Sequence, residues 1–467
     1  MHKNGLSAFQ LTMMALGTVV GGSFFLATSI AIRASGPSII IGFILGGILV
    51  YIILNALSEM TVANPCVGSF RTHAAQTYGP FVGYMVGWVY WTGLILTMSS
   101  EATAAALLIK SWSPQLSLPL LSIAIVLGVT FINLLGAQQV TKLESSLAGV
   151  KILALVLFIV IAALLIFGFW PGQPAVELGE MRNTVLFPHG IGGLGGSLLI
   201  VLLGYAGFEI IGLAASETRD PHKTVPRAIN FTIISLLTLY ITVMVLLLPL
   251  IPTGALAPAT SPMVAALERY GLGVAAGVVN FVLVTAILST MLASVFGLGR
   301  MLRSLADAGD APAFLIDRGD VPLRGILFSG VTMLAAVSLS YVLPDRIYLF
   351  LISSGGFSLL MAYLAIVVTH LRYRRIYGCP PRGNCQLVGY PYTTWIGIIS
   401  LVIAIVTMPL IPGQGTGLLA GLFLVALYSL VYLLSRVVRT RTVPAAKPAP
   451  ELPPRETYCK NESEKDR

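Results

Sequence analysis

Three glycines and two hydroxyl residues interrupt an apolar stretch near the start of the chain, in the run Gly17-Thr18-Val19-Val20-Gly21-Gly22-Ser23. Glycine inside a helix costs about 1 kcal/mol relative to alanine. A segment that only had to span a bilayer would carry leucine here, whereas one that opens its backbone to a ligand would look like this. Opening frees N–H groups near Gly21, Gly22, Ser23 and Phe24, at the positive end of the following half-helix, which suits a carboxylate. The carbonyls of Thr18, Val19 and Val20 would face an ammonium. A site with both poles fits a zwitterion, an α-amino acid. A second interruption lies at Gly204-Tyr205-Ala206-Gly207-Phe208-Glu209. There Tyr205, Ala206 and Gly207 would add carbonyls around the ammonium. Close packing of small residues is the plainer explanation of such glycines and suits Gly42 and Gly46. Two breaks in corresponding positions favour ligand binding at the first.

Three ionisable side chains lie inside apolar segments, where a charge is costly and marks function by default. Glu209 follows the second break and can orient unwound backbone, pair across the bundle or carry a proton; a protonated structural glutamate is the alternative. Lys151 sits in Ala148-Gly149-Val150-Lys151-Ile152-Leu153. A lone amine in low dielectric can load and release a proton, or stand as a fixed cation in place of sodium. Snorkelling to the inner surface is the simpler alternative. Glu101, far from both ends of its segment, is a candidate partner, proton carrier or plain hydrogen-bond acceptor.

Other signals carry less. Gly190-Ile191-Gly192-Gly193-Leu194-Gly195 satisfies G-x-G-x-x-G but follows Phe187-Pro188-His189 rather than a strand, so it is no dinucleotide site. The five histidines are scattered, and no metal site is expected. With no nucleophile elbow, P-loop or paired carboxylates, the sequence excludes the common enzyme classes and calls for no cofactor.

The elements that must position these residues are membrane helices. Of the 467 residues, 56% are hydrophobic and 10% charged, against about 25% charged in soluble domains. The net charge of +9 does not indicate nucleic acid, because Lys and Arg lie between apolar blocks and in the tail. Twelve spans are expected, at about 8–32, 37–62, 80–109, 117–137, 145–169, 189–214, 227–251, 271–303, 323–343, 347–371, 394–412 and 416–436. With the N-terminus inside, the outer loops hold Arg33, Lys110, Arg182, Arg269 and Arg346. Most other basic residues fall inside, so both termini are expected in the cytoplasm. Cys66, Cys379, Cys385 and Cys459 would then be reduced thiols. No cleavable signal peptide is expected, since the first apolar segment is too long for one. Residues 1–437 form one membrane domain, and 438–467 read as a disordered basic tail that can touch anionic lipid. The breaks fall in spans 1 and 6. If 8–169 and 189–371 are repeats, an odd number of spans inverts the second copy and puts the site at mid-bilayer; helices 11 and 12, at about 394–436, stand outside them.

The chain resembles amino acid permeases of the amino acid–polyamine–organocation superfamily, in the bacterial amino acid transporter branch. The likeness runs through Gly17 to Phe25, Ser58-Glu59-Met60, Pro65-Cys66-Val67-Gly68-Ser69-Phe70, Gly87-Trp88-Val89-Tyr90-Trp91 and Lys151. It continues in Phe187-Pro188-His189-Gly190, Gly207-Phe208-Glu209, Ser216-Glu217-Thr218-Arg219-Asp220-Pro221, Arg300 to Asp307 and Gly309-Asp310-Ala311-Pro312. The resemblance implies an all-α integral membrane protein with a LeuT-like 5+5 inverted repeat and discontinuous helices 1 and 6. It implies a substrate carboxylate on span-1 amides and an amino group on carbonyls of spans 1 and 6. It also implies proton symport, with Lys151 in the place of a sodium ion. There are departures. The family's last glycine in span 1 is Ser23. The gating aromatic of span 6 aligns with Leu203, so Tyr205 or Phe208 is the substitute. The amide of span 8 is lost in Met291-Leu292-Ala293-Ser294. The expected function is secondary active import of a neutral α-amino acid across the inner membrane by alternating access. An exchanger, a cationic amino acid permease and a non-transporting amino-acid sensor remain open.

Overall fold

A computed structural model describes residues 7–63, 69–213, 218, 220–257, 260–317, 321–342, 347–379 and 385–442. The expectations for Pro65 to Gly68, for Ser216, Glu217 and Arg219, and for most of the tail lie outside the described residues. Among those described, the fold is all-helical. That follows from composition: in hydrocarbon a helix satisfies every backbone group within its own segment.

The chain opens with α1 (Ala8–Val19), α2 (Gly22–Phe25), α3 (Thr28–Ser35) and α4 (Ile39–Ala63). Ser7 starts α1 through a capping box: its Oγ accepts from Gln10 N at 3.3 Å, and Gln10 Oε1 accepts from Ser7 N at 2.9 Å. Next come α5 (Phe70–Tyr78), α6 (Pro80–Lys110), α7 (Leu118–Leu134) and α8 (Ala137–Ile166). After a loop follow α9 (Gly190–Tyr205), α10 (Ile210–Leu213), α11 (Pro221–Leu247) and α12 (Pro262–Arg269). The rest is α13 (Gly273–Asp307), α14 (Leu323–Ser338), α15 (Ile347–Tyr377), α16 (Tyr392–Val406) and α17 (Gln414–Thr442). Among the described residues, ten helical runs are long and apolar enough to cross a membrane, while α1 and α7 are shorter apolar helices. The first of these runs, Gly22–Ala63, contains α2, α3 and α4 and turns at Gly36–Ser38. The short helices α5 and α12 lie between apolar segments and have no long apolar pattern to announce them.

The enclosed centre is built on α6 and α15, whereas α16 and α17 are the most open to the outside. Small residues let α6 and α15 interlock. A Cβ at Gly93 would lie 2.7 Å from Ser358 Cβ, and one at Gly355 would lie 2.6 Å from Thr97 Oγ1.

Two expectations are corrected. Cys379 and Cys385, expected as separate reduced thiols, are joined by a disulfide with Cα atoms 5.5 Å apart. Gly378 ends α15 at φ 74°, and the chain turns back so that Leu387 N reaches Glu59 Oε1 at 2.8 Å. That reversal brings the two cysteines together. The start of the predicted tail is also ordered differently, since α17 continues to Thr442.

The short helix α5 buries Arg71 and His73. Burial pushes the His73 imidazole down to about 4, and a hydrogen bond with Gln76 only partly opposes this. A histidine held neutral in the fold binds fewer protons than in the unfolded chain. Its contribution is therefore present above about pH 6.5 and lost as pH falls from there toward 4. Acidification from pH 7 to 5 is expected to lower the stability of the detergent-solubilised protein by about 2 kcal/mol through this group. Thermal melts of wild type and His73→Phe check this: the pH dependence should be shallower in the variant, and parallel curves would refute the assignment.

Candidate substrate and coupling site

The first break is a local property of three residues. α1 stops at Val19 because Val20 (φ −76°, ψ 95°) leaves the helical region, and Gly21 continues extended (φ −140°, ψ −166°) before α2 starts. The second break is similar. α9 ends at Tyr205, Ala206 is extended (φ −61°, ψ 149°), and Gly207 adopts φ 107°, which glycine tolerates and other residues avoid. A Cβ on Gly207 would lie 2.8 Å from the Thr18 carbonyl oxygen. The breaks are in contact, since Thr18 Oγ1 donates to Gly207 O at 3.2 Å.

The chain itself satisfies both poles of the first break. Glu101, on α6 and 3% exposed, accepts from Gly22 N at 2.7 Å through Oε2. Its Oε1 accepts from Ser23 N at 2.9 Å and from Ser23 Oγ at 2.7 Å. On the carbonyl side Lys151, on α8 and 1% exposed, donates to Gly17 O and, at 3.0 Å, to Thr290 Oγ1. The Thr290 hydroxyl lies 3.2 Å from Val20 O and 3.1 Å from Ala286 O. Lys151 is thus turned into the bundle rather than toward a surface. Buried polar groups need such partners, and bonds to charged groups are worth about 1.5–3 kcal/mol each.

At the second break Glu209 serves the unwound backbone. Its Oε2 accepts from Gly207 N at 3.0 Å and from Tyr363 OH at 3.2 Å, and its Oε1 accepts from Tyr90 OH at 3.0 Å.

The breaks border a cavity of about 20 Å³, little more than one water fills. Of the residues expected to bind substrate, Thr18, Val19, Gly21, Ser23, Leu203, Ala206 and Gly207 line it. The others are engaged elsewhere. Phe24 stacks on Tyr240 with centroids 3.8 Å apart. Tyr205 OH donates to Phe43 O at 3.0 Å, Gly204 O accepts from Tyr240 OH at 2.9 Å, and Phe208 lies against Tyr363. Gly22 faces Glu101, and a side chain there would collide with its Oε2. Leu94, Thr97, Met98 and Glu101 on α6, Thr290 and Ser294 on α13 and Leu359 on α15 complete the lining. Sequence reasoning passed over Thr290, although a hydroxyl four residues before Ser294 in an apolar segment is a legible signal. Thr97, four residues before Glu101, carries the same signal, and Leu359 has none.

Away from the cavity, Arg71 on α5 pairs with Asp310 at 2.5 Å and donates to Ser304 O at 3.1 Å, closing α5 against the end of α13. Among the described residues, no group of three His, Cys, Asp or Glu side chains is placed to hold a metal.

Two facing helix breaks, buried charges and, among the described residues, ten apolar runs define a multi-pass membrane protein. The chain belongs to the amino acid permease family, whose model matches residues 10–448, within the amino acid–polyamine–organocation superfamily. It is 29% identical to the gamma-aminobutyric acid permease of Bacillus subtilis (strain 168) over 462 residues, 97% of each chain. It is 33% identical over 428 residues to the gamma-aminobutyric acid permease of Escherichia coli (strain K12), 89% of this chain and 91% of the relative. It is 31% identical over 442 residues to the amino-acid permease RocC of Bacillus subtilis (strain 168), 90% of this chain and 93% of the relative. The family and these relatives are permeases, not enzymes.

The Ser23 hydroxyl is one of three donors to Glu101. Ser23→Ala removes it and leaves both amides, and is expected to destabilise the protein by about 2 kcal/mol. Thermal unfolding in detergent measures this; an unchanged melting temperature would show that the hydroxyl contributes nothing.

Proposed function

We propose that the protein is a secondary active transporter that imports a neutral α-amino acid across the cytoplasmic membrane by alternating access, coupled to protons. In this reading residues 1–437 are one domain of twelve membrane helices. Repeats 8–169 and 189–371 are inverted copies in a LeuT-like 5+5 arrangement, and both termini are cytoplasmic. The partners are the amino acid, protons and membrane lipid.

The observation that carries the proposal is the pairing of both poles of one helix break with a buried carboxylate and a buried amine. An amino acid brings the same two charges. Its carboxylate competes with Glu101 for the amides of Gly22 and Ser23, and its ammonium competes with Lys151 for carbonyls at the break. Two carboxylates at one anion site repel, so binding favours proton uptake by Glu101. A proton leaving Lys151 would release Gly17 O in the same way. Substrate binding and protonation are thereby linked through shared backbone groups. Glu209 orients the second break in this scheme and is the third group available to a proton. The small size of the cavity supports a cycle in which the breaks separate to admit substrate.

A γ-amino acid is the second reading, supported by the two relatives above that are gamma-aminobutyric acid permeases. Uptake into proteoliposomes of the twenty amino acids and γ-aminobutyrate, with and without an imposed pH or sodium gradient, separates the two. Lys151→Ala is expected to abolish accumulation driven by a pH gradient; full accumulation in the variant would overturn the coupling role. Gly22→Leu is expected to eliminate substrate binding, and wild-type affinity would overturn the site assignment.

A further inference from the structure

Glu59 lies near the end of α4 and is 3% exposed. Its Oε1 accepts from Leu387 N at 2.8 Å, and its Oε2 is 2.7 Å from His370 Nε2 and 3.5 Å from Arg374 Nη1. The Arg374 guanidinium also donates to Leu387 O at 3.1 Å and to Cys379 Sγ at 3.5 Å, and stacks over the Tyr390 ring at 4.4 Å. Tyr390 OH donates to Leu371 O at 3.0 Å. Cys379 is bonded to Cys385. One buried carboxylate therefore grips both ends of a covalent ring. It holds Cys379 through Arg374 and, two residues beyond Cys385, the Leu387 amide.

The basic residues at the end of α15, Arg372, Arg374 and Arg375, put this ring on the cytoplasmic side in the orientation proposed above. A disulfide in that reducing compartment is characteristically redox-sensing or transient rather than a permanent staple. We infer that Cys379 and Cys385 form a reversible thiol–disulfide site that sets how firmly α4 is tied to the end of α15. A dithiol reductant opens it: one thiolate attacks a sulfur of the pair, the second resolves the mixed disulfide, and the reductant leaves as a disulfide. Two electrons and two protons leave Cys379 and Cys385 as thiols. A hydroperoxide closes it: one thiolate becomes a sulfenic acid with loss of an alcohol or water, and the other thiol then displaces water.

The site matters because of what the tie connects. Phe43 on α4 receives the hydroxyl of Tyr205 at the second break. On α15, Tyr363 donates to Glu209, and Gly355 packs on α6, the helix of Glu101. A closed ring holds the elements flanking the central cavity at one end of the membrane and slows their rearrangement. An open ring releases the Leu387 amide and frees them.

Full-length protein in proteoliposomes, treated with dithiothreitol or hydrogen peroxide, provides the test. Differential alkylation with peptide mass spectrometry reads the state of Cys379 and Cys385, amide exchange reads Leu387, and amino acid uptake reads the cycle. Reduction is expected to open the pair, to speed Leu387 exchange several-fold and to raise uptake several-fold, with peroxide reversing all three. The Cys379→Ser/Cys385→Ser double variant should match the reduced protein and ignore both reagents. A pair that resists dithiothreitol, or that opens without changing Leu387 exchange, would overturn the inference. Exchange at Leu387 does not require any transported substrate, so failure of the transport proposal remains distinguishable from failure of this one.

Discussion

A helix opened inside hydrocarbon must find partners for the N–H and C=O groups it exposes, because no water is there to take them. Each orphaned group costs several kcal/mol. The contact between Glu101 and the amides of Gly22 and Ser23 meets that requirement on one side, and the reach of Lys151 to Gly17 O meets it on the other. Much of the remaining architecture follows. α6 and α8 must pass close to the break to deliver these two side chains, and Thr290 on α13 must stand beside Lys151 to share its donors. Charge in low dielectric is tolerable here because each charged group is hydrogen-bonded, and because the two are of opposite sign.

The second break is served by the same scaffold. Tyr90 and Glu101 are both on α6, eleven residues or about three helical turns apart. One helix thus supplies a donor to Glu209 at one break and a carboxylate to the other. Tyr363 reaches Glu209 from α15, which interlocks with α6 at Gly93 and Gly355. The close approach of those glycines is therefore more than packing, since it fixes the separation of the two hydrogen-bond networks.

How much of this could be read from residues alone depends on range. The positions of both breaks were legible, because glycines and hydroxyls in an apolar run are a local signal. So was the burial of Lys151, Glu101 and Glu209, because a charge within about twenty apolar residues has few places to go. The partners were not legible. That Glu101 caps Gly22 depends on how α6 packs against α2, a tertiary fact with no local trace. Tyr205 and Phe208 looked like gate residues by adjacency, yet the turn at Ala206 and Gly207 sends them toward Phe43 and Tyr363 instead. The disulfide was missed because compartment argued against it while chain reversal argued for it, and only the reversal is a matter of geometry. The short helices α5 and α12 escaped because periodicity needs more length than eight or nine residues to register.

Ser23 illustrates how a departure from a family pattern becomes intelligible once its neighbour is known. A glycine there would supply the same amide to an anion. Serine adds a hydroxyl at 2.7 Å from Glu101 Oε1, so the carboxylate gains a third donor and is better held in place. A better-held carboxylate is also a stronger competitor for any substrate carboxylate that needs the same amides. In the transport reading proposed above, the substitution therefore acts on the empty and the occupied site in opposite directions. It steadies the open backbone when only Glu101 is present, and it increases what a ligand must offer to displace it. Thr18, bonded to Gly207 across the gap, extends the constraint, because neither break can widen without disturbing the other. In the same transport reading, the ligand engages both breaks and both charges at once, and a zwitterion has the two poles to do so.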